Sequence, residues 1–317
     1  MRVLSFFQLS TILCIFVVKE HNNHNKSTMK RLILSAFALI GALSLAAEEQ
    51  ASPWTMAGSA GITGSQMTLT NWAAGGDPSI AADFQFNYSV DYKKDAILWQ
   101  NRLEFAYGLN RTESNGTRKT NDKIYLSSSY GHKVSEGLYV SALMKFNTQF
   151  APGYDYAVKL DEGGYKQTSG FMAPAYFSGG LGVEWKPNAW LSVNASPTTW
   201  KATVVNVEEL QPIYGLDGRS TRHEFGGNVK IEAKGTIWGD LSGYTRLNLF
   251  SNFLENPQNV DVDWTMRFDL KINKWLSANV NFHMIYDDDI NIPQPDGSSY
   301  PCLQVQEIAG IGLLVKF

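Results

Sequence analysis

Leu303 to Phe317, LQVQEIAGIGLLVKF, is the stretch whose reading decides the fold. Successive side chains of an extended strand point to opposite faces. Leu303, Val305, Ala309, Ile311, Leu313, Val315 and Phe317 therefore share one side, and Gln304, Gln306, Gly310, Gly312 and Lys316 share the other. Only Glu307 interrupts the apolar side. Such a strand suits the inner face of a soluble sandwich or the wall of a membrane barrel. The barrel reading makes a demand on the rest of the chain, which must supply an even number of similar strands.

The same alternation recurs from Trp54 onward, and no stretch there sustains the 3.6-residue apolar period of a helix. From Val260 to Asn273, for example, Val260, Val262, Trp264, Met266, Phe268, Leu270 and Ile272 alternate with Asp261, Asp263, Thr265, Arg267, Asp269, Lys271 and Asn273. Twelve strands are predicted, at 54–67, 80–92, 96–111, 119–133, 138–150, 173–186, 190–206, 222–237, 241–254, 260–273, 275–286 and 302–317. Five connections are tight (93–95, 134–137, 187–189, 238–240, 273–274), and those between them are longer (68–79, 112–118, 151–172, 207–221, 255–259, 287–301). A barrel with turns at one rim and loops at the other accounts for this sorting, whereas a sandwich has no reason for it. Six of the nine tryptophans, Trp54, Trp99, Trp185, Trp190, Trp238 and Trp275, fall at the tight-turn ends. An indole, apolar with one donor, favours a membrane interface. An apolar-faced strand ending on Phe317 also resembles the terminal assembly signal of bacterial outer-membrane barrels.

Bulk composition excludes other classes. The 317 residues are 44% hydrophobic and 13% aromatic with net charge -3, which fits neither a disordered chain nor a nucleic-acid binder. Met29-Lys30-Arg31, the apolar run through Leu45, and Ala46-Ala47 have the pattern of a secretory signal peptide cleaved near Ala47. The expected organisation is thus residues 1–47 as extension and signal peptide and 48–317 as the barrel. The earlier apolar run, Val3 to Val18, is either an extension upstream of a start at Met29 or an inner-membrane anchor. Of the two cysteines, Cys14 lies in the segment expected to be lost, so no intrachain disulfide or thiolate metal site is expected.

Opposite the apolar face stand Asp83, Asp91, Arg102, Glu104, Lys145, Glu184, Lys230, Glu232, Lys234, Arg246, Asp263, Arg267, Asp269 and Lys271. In a barrel they line the lumen, with both signs mixed so that charges pair across strands. Twelve strands enclose an interior between filled small barrels and open porins. The loop Asn71-Trp72-Ala73-Ala74-Gly75-Gly76 is a candidate constriction through Trp72, Gly75 and Gly76, or else a rim loop anchored by its indole. Asp287-Asp288-Asp289 offers clustered oxygens but lacks EF-hand spacing, so it reads as a solvated acidic loop. His283 has no accompanying nucleophile motif, and Ser196-Pro197 marks a bulge or bend.

Several clusters, Asn71 to Gly76, Trp99-Gln100-Asn101-Arg102-Leu103, Arg118 to Lys123, Gln149 to Tyr154 and Ser169 to Tyr176, resemble an uncharacterised Bacteroidota outer-membrane β-barrel family, domain of unknown function 3078. The resemblance spans about residues 52 to 317. It implies a barrel in the cell outer membrane and no catalytic, cofactor or metal residues. The expected partners are outer-membrane lipid, the barrel assembly machinery and small solutes. The expected function is a narrow passive channel for small solutes rather than an enzyme, the alternatives being a structural or partner-binding barrel acting through its extracellular loops and, after that, an outer-membrane hydrolase.

Overall fold

A computed structural model describes residues 52–67, 77–161, 163–216, 218–293 and 298–317. The predicted leader, 1–47, and the loop carrying Trp72, Gly75 and Gly76 lie outside these residues. In chain order the strands are β1 (Trp54–Met67), β2 (Ser79–Lys94), β3 (Ile97–Thr112), β4 (Gly116–Ser135), β5 (Leu138–Thr148), β6 (Gly153–Lys159), β7 (Tyr165–Ser169) and β8 (Ala175–Trp185). They continue with β9 (Leu191–Val204), β10 (Thr221–Trp238), β11 (Leu241–Asn252), β12 (Asp261–Lys271), β13 (Leu276–Tyr286), β14 (Ile292–Pro293), β15 (Ser299–Tyr300) and β16 (Gln304–Lys316). β6 pairs with β7 and β14 with β15 in loop hairpins. The other twelve form a closed antiparallel barrel in the order β1-β16-β13-β12-β11-β10-β9-β8-β5-β4-β3-β2.

Closure is made by the C-terminal stretch, Leu303 to Phe317. Ser59 to Gly64 pair with Lys316 to Ile311, and Gly58 and Phe317 exchange backbone hydrogen bonds of 2.6 and 3.0 Å. Phe317 lies over Gly58 so closely that a Cβ there would come within 2.4 Å of the ring, and its outer face meets Tyr88 at 6.3 Å between centroids. Pairing the two end strands leaves no edge with unsatisfied backbone groups.

The register puts the apolar member of each alternating pair outside. Met144 is 68% exposed, Leu181 64% and Val305 60%, a degree of apolar exposure around the whole wall that a water-soluble domain avoids. All six tryptophans of the tight-turn ends are exposed. Trp54 packs edge-on to Tyr92 at 4.9 Å and lies 5.9 Å from Trp99.

The strict sorting of connections does not hold. β3 and β4 extend further than the alternation suggested, so their connection is only Glu113-Ser114-Asn115. Gly116 closes it at φ 67, a conformation open to glycine, and Asp77 accepts hydrogen bonds from the Ser114 backbone and hydroxyl. At Ser196-Pro197 the register slips against both neighbours, the predicted bulge. At the loop end, a 3-10 helix (Glu208–Tyr214) buries Leu210 with Ala173, Val205 and Leu216 in a small apolar core of its own.

Candidate functional site: a charged brace beneath a loop-end vestibule

The inner wall carries Asp83 and Asp91 on β2, Arg102 and Glu104 on β3, Lys145 on β5, Lys230 and Glu232 on β10, Arg246 on β11, and Arg267 and Asp269 on β12. Arg246 Nη1 reaches Glu104 Oε1 at 2.5 Å. β11 and β3 stand six places apart on a ring of twelve, so this ion pair spans the diameter. Glu104 also accepts from Lys123 at 2.8 Å, and the Arg246 guanidinium lies 4.0 Å above the Tyr125 ring. Beside it, Lys230 pairs with Glu232 at 2.6 Å, which accepts from the Tyr244 hydroxyl at 3.0 Å. At the tight-turn end Lys186 pairs with Glu184 at 3.2 Å and donates to Gln100 on β3. Arg246 is 2% exposed. Charges so buried are tolerable because each has an opposite charge in contact.

The remaining predicted lumen residues form local pairs. Arg102 meets Asp91, Arg267 meets Asp269 at 3.2 Å, and Asp83 accepts from Asn121 at 2.8 Å. Arg267 and Asp269 border a crescent of the lumen with Ser59, Thr63, Gln85, Asn87 and Asn279, where a void of about 30 Å³ has room for one water.

Above the brace opens a vestibule of about 650 Å³. On one wall Lys201 meets Asp261 at 2.6 Å, Glu224 at 3.4 Å and Asp287 at 3.8 Å. On the other, Lys119 pairs with Asp122 at 2.7 Å, Asp122 accepts from the Phe150 and Ala151 backbone N–H groups at 2.7 and 2.8 Å, and Ser169 donates to Gln149 at 2.6 Å. Three of the motif clusters behind the family resemblance thus meet at the base of one loop. Tyr214 donates to the Thr168 carbonyl at 2.9 Å, and burial pushes its phenol up to about 12.

The Asp287-Asp288-Asp289 loop is not simply solvated. Asp287 is buried beside Lys201, Asp288 accepts from Asn259, and Asp289 meets Arg222 at 2.8 Å. Burial raises the Asp289 carboxyl despite Arg222. Its three carboxylates turn to three different partners, and no metal-ligand cluster occurs among the described residues. His283 is held by Asp263 at 3.0 Å, while Thr265, opposite it on β12, has a buried hydroxyl without a hydrogen bond. A base bonded to a nucleophile is therefore lacking at this pair.

Alternation placed these charges on one face of their strands, but their partners across the lumen, and the roles of Tyr125, Lys201 and Tyr214, carried no sequence signal, and Lys119 carried only its membership of one of those clusters.

A family model described as "Protein of unknown function (DUF3078)" matches residues 65–154, less than half of the chain. No match was found among curated proteins. Among solved structures, the translocator domain of autotransporter NalP from Neisseria meningitidis is 10% identical with a TM-score of 0.36, over 92% of this chain and 97% of that one. An outer membrane channel from Pseudomonas putida F1 is 9% identical with a TM-score of 0.37, over 85% and 97%. The NanC porin is 8% identical with a TM-score of 0.35, over 82% and 97%.

Proposed function

We propose that this chain is an outer-membrane barrel acting as a narrow passive channel, braced shut across its diameter and permeable only along the crescent beside the brace. The observation that carries this is the Arg246–Glu104 pair. It divides a polar lumen into a filled half and a half whose Arg102, Asp91 and Arg267 side chains keep 27 to 29% of their surface open to water. The membrane assignment is supported by the apolar exterior, by closure without an edge, and by the row of exposed tryptophans at one rim. Lipid contacts that exterior, and the assembly machinery is the partner for which the closing strand is suited. Passive action fits an inner wall most of whose charges are paired with one another. A partner-binding reading is favoured by apolar side chains exposed in the loops, Phe171, Phe253 and Leu254.

Arg246→Ala should raise single-channel conductance several-fold in planar bilayers, because among the described residues only Arg246 joins β11 to Glu104. Glu104 keeps Lys123, so the variant is expected to fold. Equal silence of the wild type and Arg246→Ala would end the channel reading in favour of the loops.

A further inference from the structure

Lys145 breaks a rule that five other lumen cations obey. Lys123, Lys201, Lys230, Arg246 and Arg267 each reach a carboxylate within ion-pair distance. Among the described residues, Lys145 reaches none. Its ammonium donates instead to two amide oxygens, Asn228 Oδ1 at 3.0 Å and Asn248 Oδ1 at 3.4 Å. Asn228 is held in that pose by its own amide N–H, which donates to the Leu249 carbonyl at 2.7 Å. A partly buried ammonium without a counter-charge is costly, and here it points into a cavity of about 650 Å³. That volume lies within the range of small-molecule sites, roughly 300–1,000 Å³.

We propose that the vestibule is a binding site for small organic carboxylates with an apolar or aromatic body, and that Lys145 is the counter-charge for the carboxylate. Ser178, opposite Lys145 on the neighbouring strand, places a hydroxyl on the same wall. Tyr176, Phe250, Ile285 and Ile290 line the cavity around them and supply surface for the body of the solute. Among the described residues, Lys145 is the lining cation without an ion pair, and one ammonium matches a single negative charge. A phosphate dianion would need a second, and the nearby Lys123 and Lys201 are already engaged with acids. The proposal does not depend on conduction, since the site lies on the loop side of the brace and is read by binding alone.

The probe is 4-fluorobenzoate, followed by fluorine NMR with the refolded full barrel in detergent micelles. Saturable broadening is expected with the wild type. Two variants should each weaken the affinity at least tenfold. Lys145→Gln removes the charge and keeps a polar donor one bond shorter. Asn228→Asp leaves the lysine but sets a carboxylate against it, so the site remains testable if either variant fails to fold. Neutral 4-fluorobenzamide should bind at least tenfold more weakly than the benzoate. Absence of benzoate binding, affinities within twofold across wild type and both variants, or equal binding of the amide would overturn the proposal. Displacement by inorganic phosphate at concentrations below those needed with unlabelled benzoate would overturn the carboxylate assignment.

Discussion

The two halves of the inner wall follow the same alternation and end in different states. Along β4, β5, β8, β9, β10 and β11 many inward residues are shut away from water, with Glu184, Asn194, Ser196, Glu224, Asn228 and Arg246 all at or below 3% exposure. Along β12, β13, β16, β1 and β2 most inward residues remain half-buried. Polarity does not distinguish them, for both are polar. Length does. The filled half carries Tyr125, Lys230, Glu232, Tyr244 and Arg246, of which Arg246 reaches the opposite wall, whereas the crescent carries, beside Arg102 and Arg267, the short Ser59, Gly61, Thr63, Asn87, Asn279 and Gly310. A twelve-stranded ring is too wide for short side chains to fill from one wall. Side chains long enough to cross the lumen, Arg246 above all, therefore help to decide where water stays.

The largest expected effect tests that difference directly. Arg246→Ala should lower stability by about 3 kcal/mol, the low end for breaking a buried pair because Glu104 retains Lys123. Arg267→Ala, one strand away with a 29% exposed side chain, should cost less than about 1 kcal/mol. Reversible urea unfolding in lipid vesicles measures both, and equal losses would erase the distinction between the halves. Next comes the contrast across the wall of the crescent. Val280→Arg, on the apolar face, should cost about 2–4 kcal/mol near the midplane. Asn279→Arg, facing the crescent, should cost less than about 1 kcal/mol in the same assay. Similar damage from both would show the lumen there to be as full as the braced half.

The smallest effect concerns the loop-end core above the filled half. Tyr214→Phe removes the hydrogen bond to Thr168, worth about 1 kcal/mol, and should speed proteolysis of the 205–220 loop. Because burial raises the phenol from 10.0 to about 12, the folded state holds the proton more tightly than the unfolded chain. This contribution is complete below pH 10.0 and is lost as pH rises towards about 12. Protection of that loop should fall over this window in the wild type, and a Tyr214→Phe variant with the same fall would rule the phenol out as its cause.

The strand count, the boundaries to within a few residues and the sidedness of each strand could be read from the residues in order, because pleating alone sends alternate side chains to opposite faces. Val305, Ile311 and Val315 lie outside and Gln304, Gly312 and Lys316 inside, as their spacing requires. The short β3–β4 connection escaped that reading because the polar residues near Gly116 alternate too weakly to mark a strand end. What remained for the tertiary structure was distance across the lumen. Glu104 and Arg246 are 142 residues apart in sequence, and nothing local to either names the other. Whether they meet depends on how many strands separate them around the ring and how far each side chain extends. The same holds for Lys145, one inward lysine among several until closure of the barrel surrounds it with amides where the others found acids.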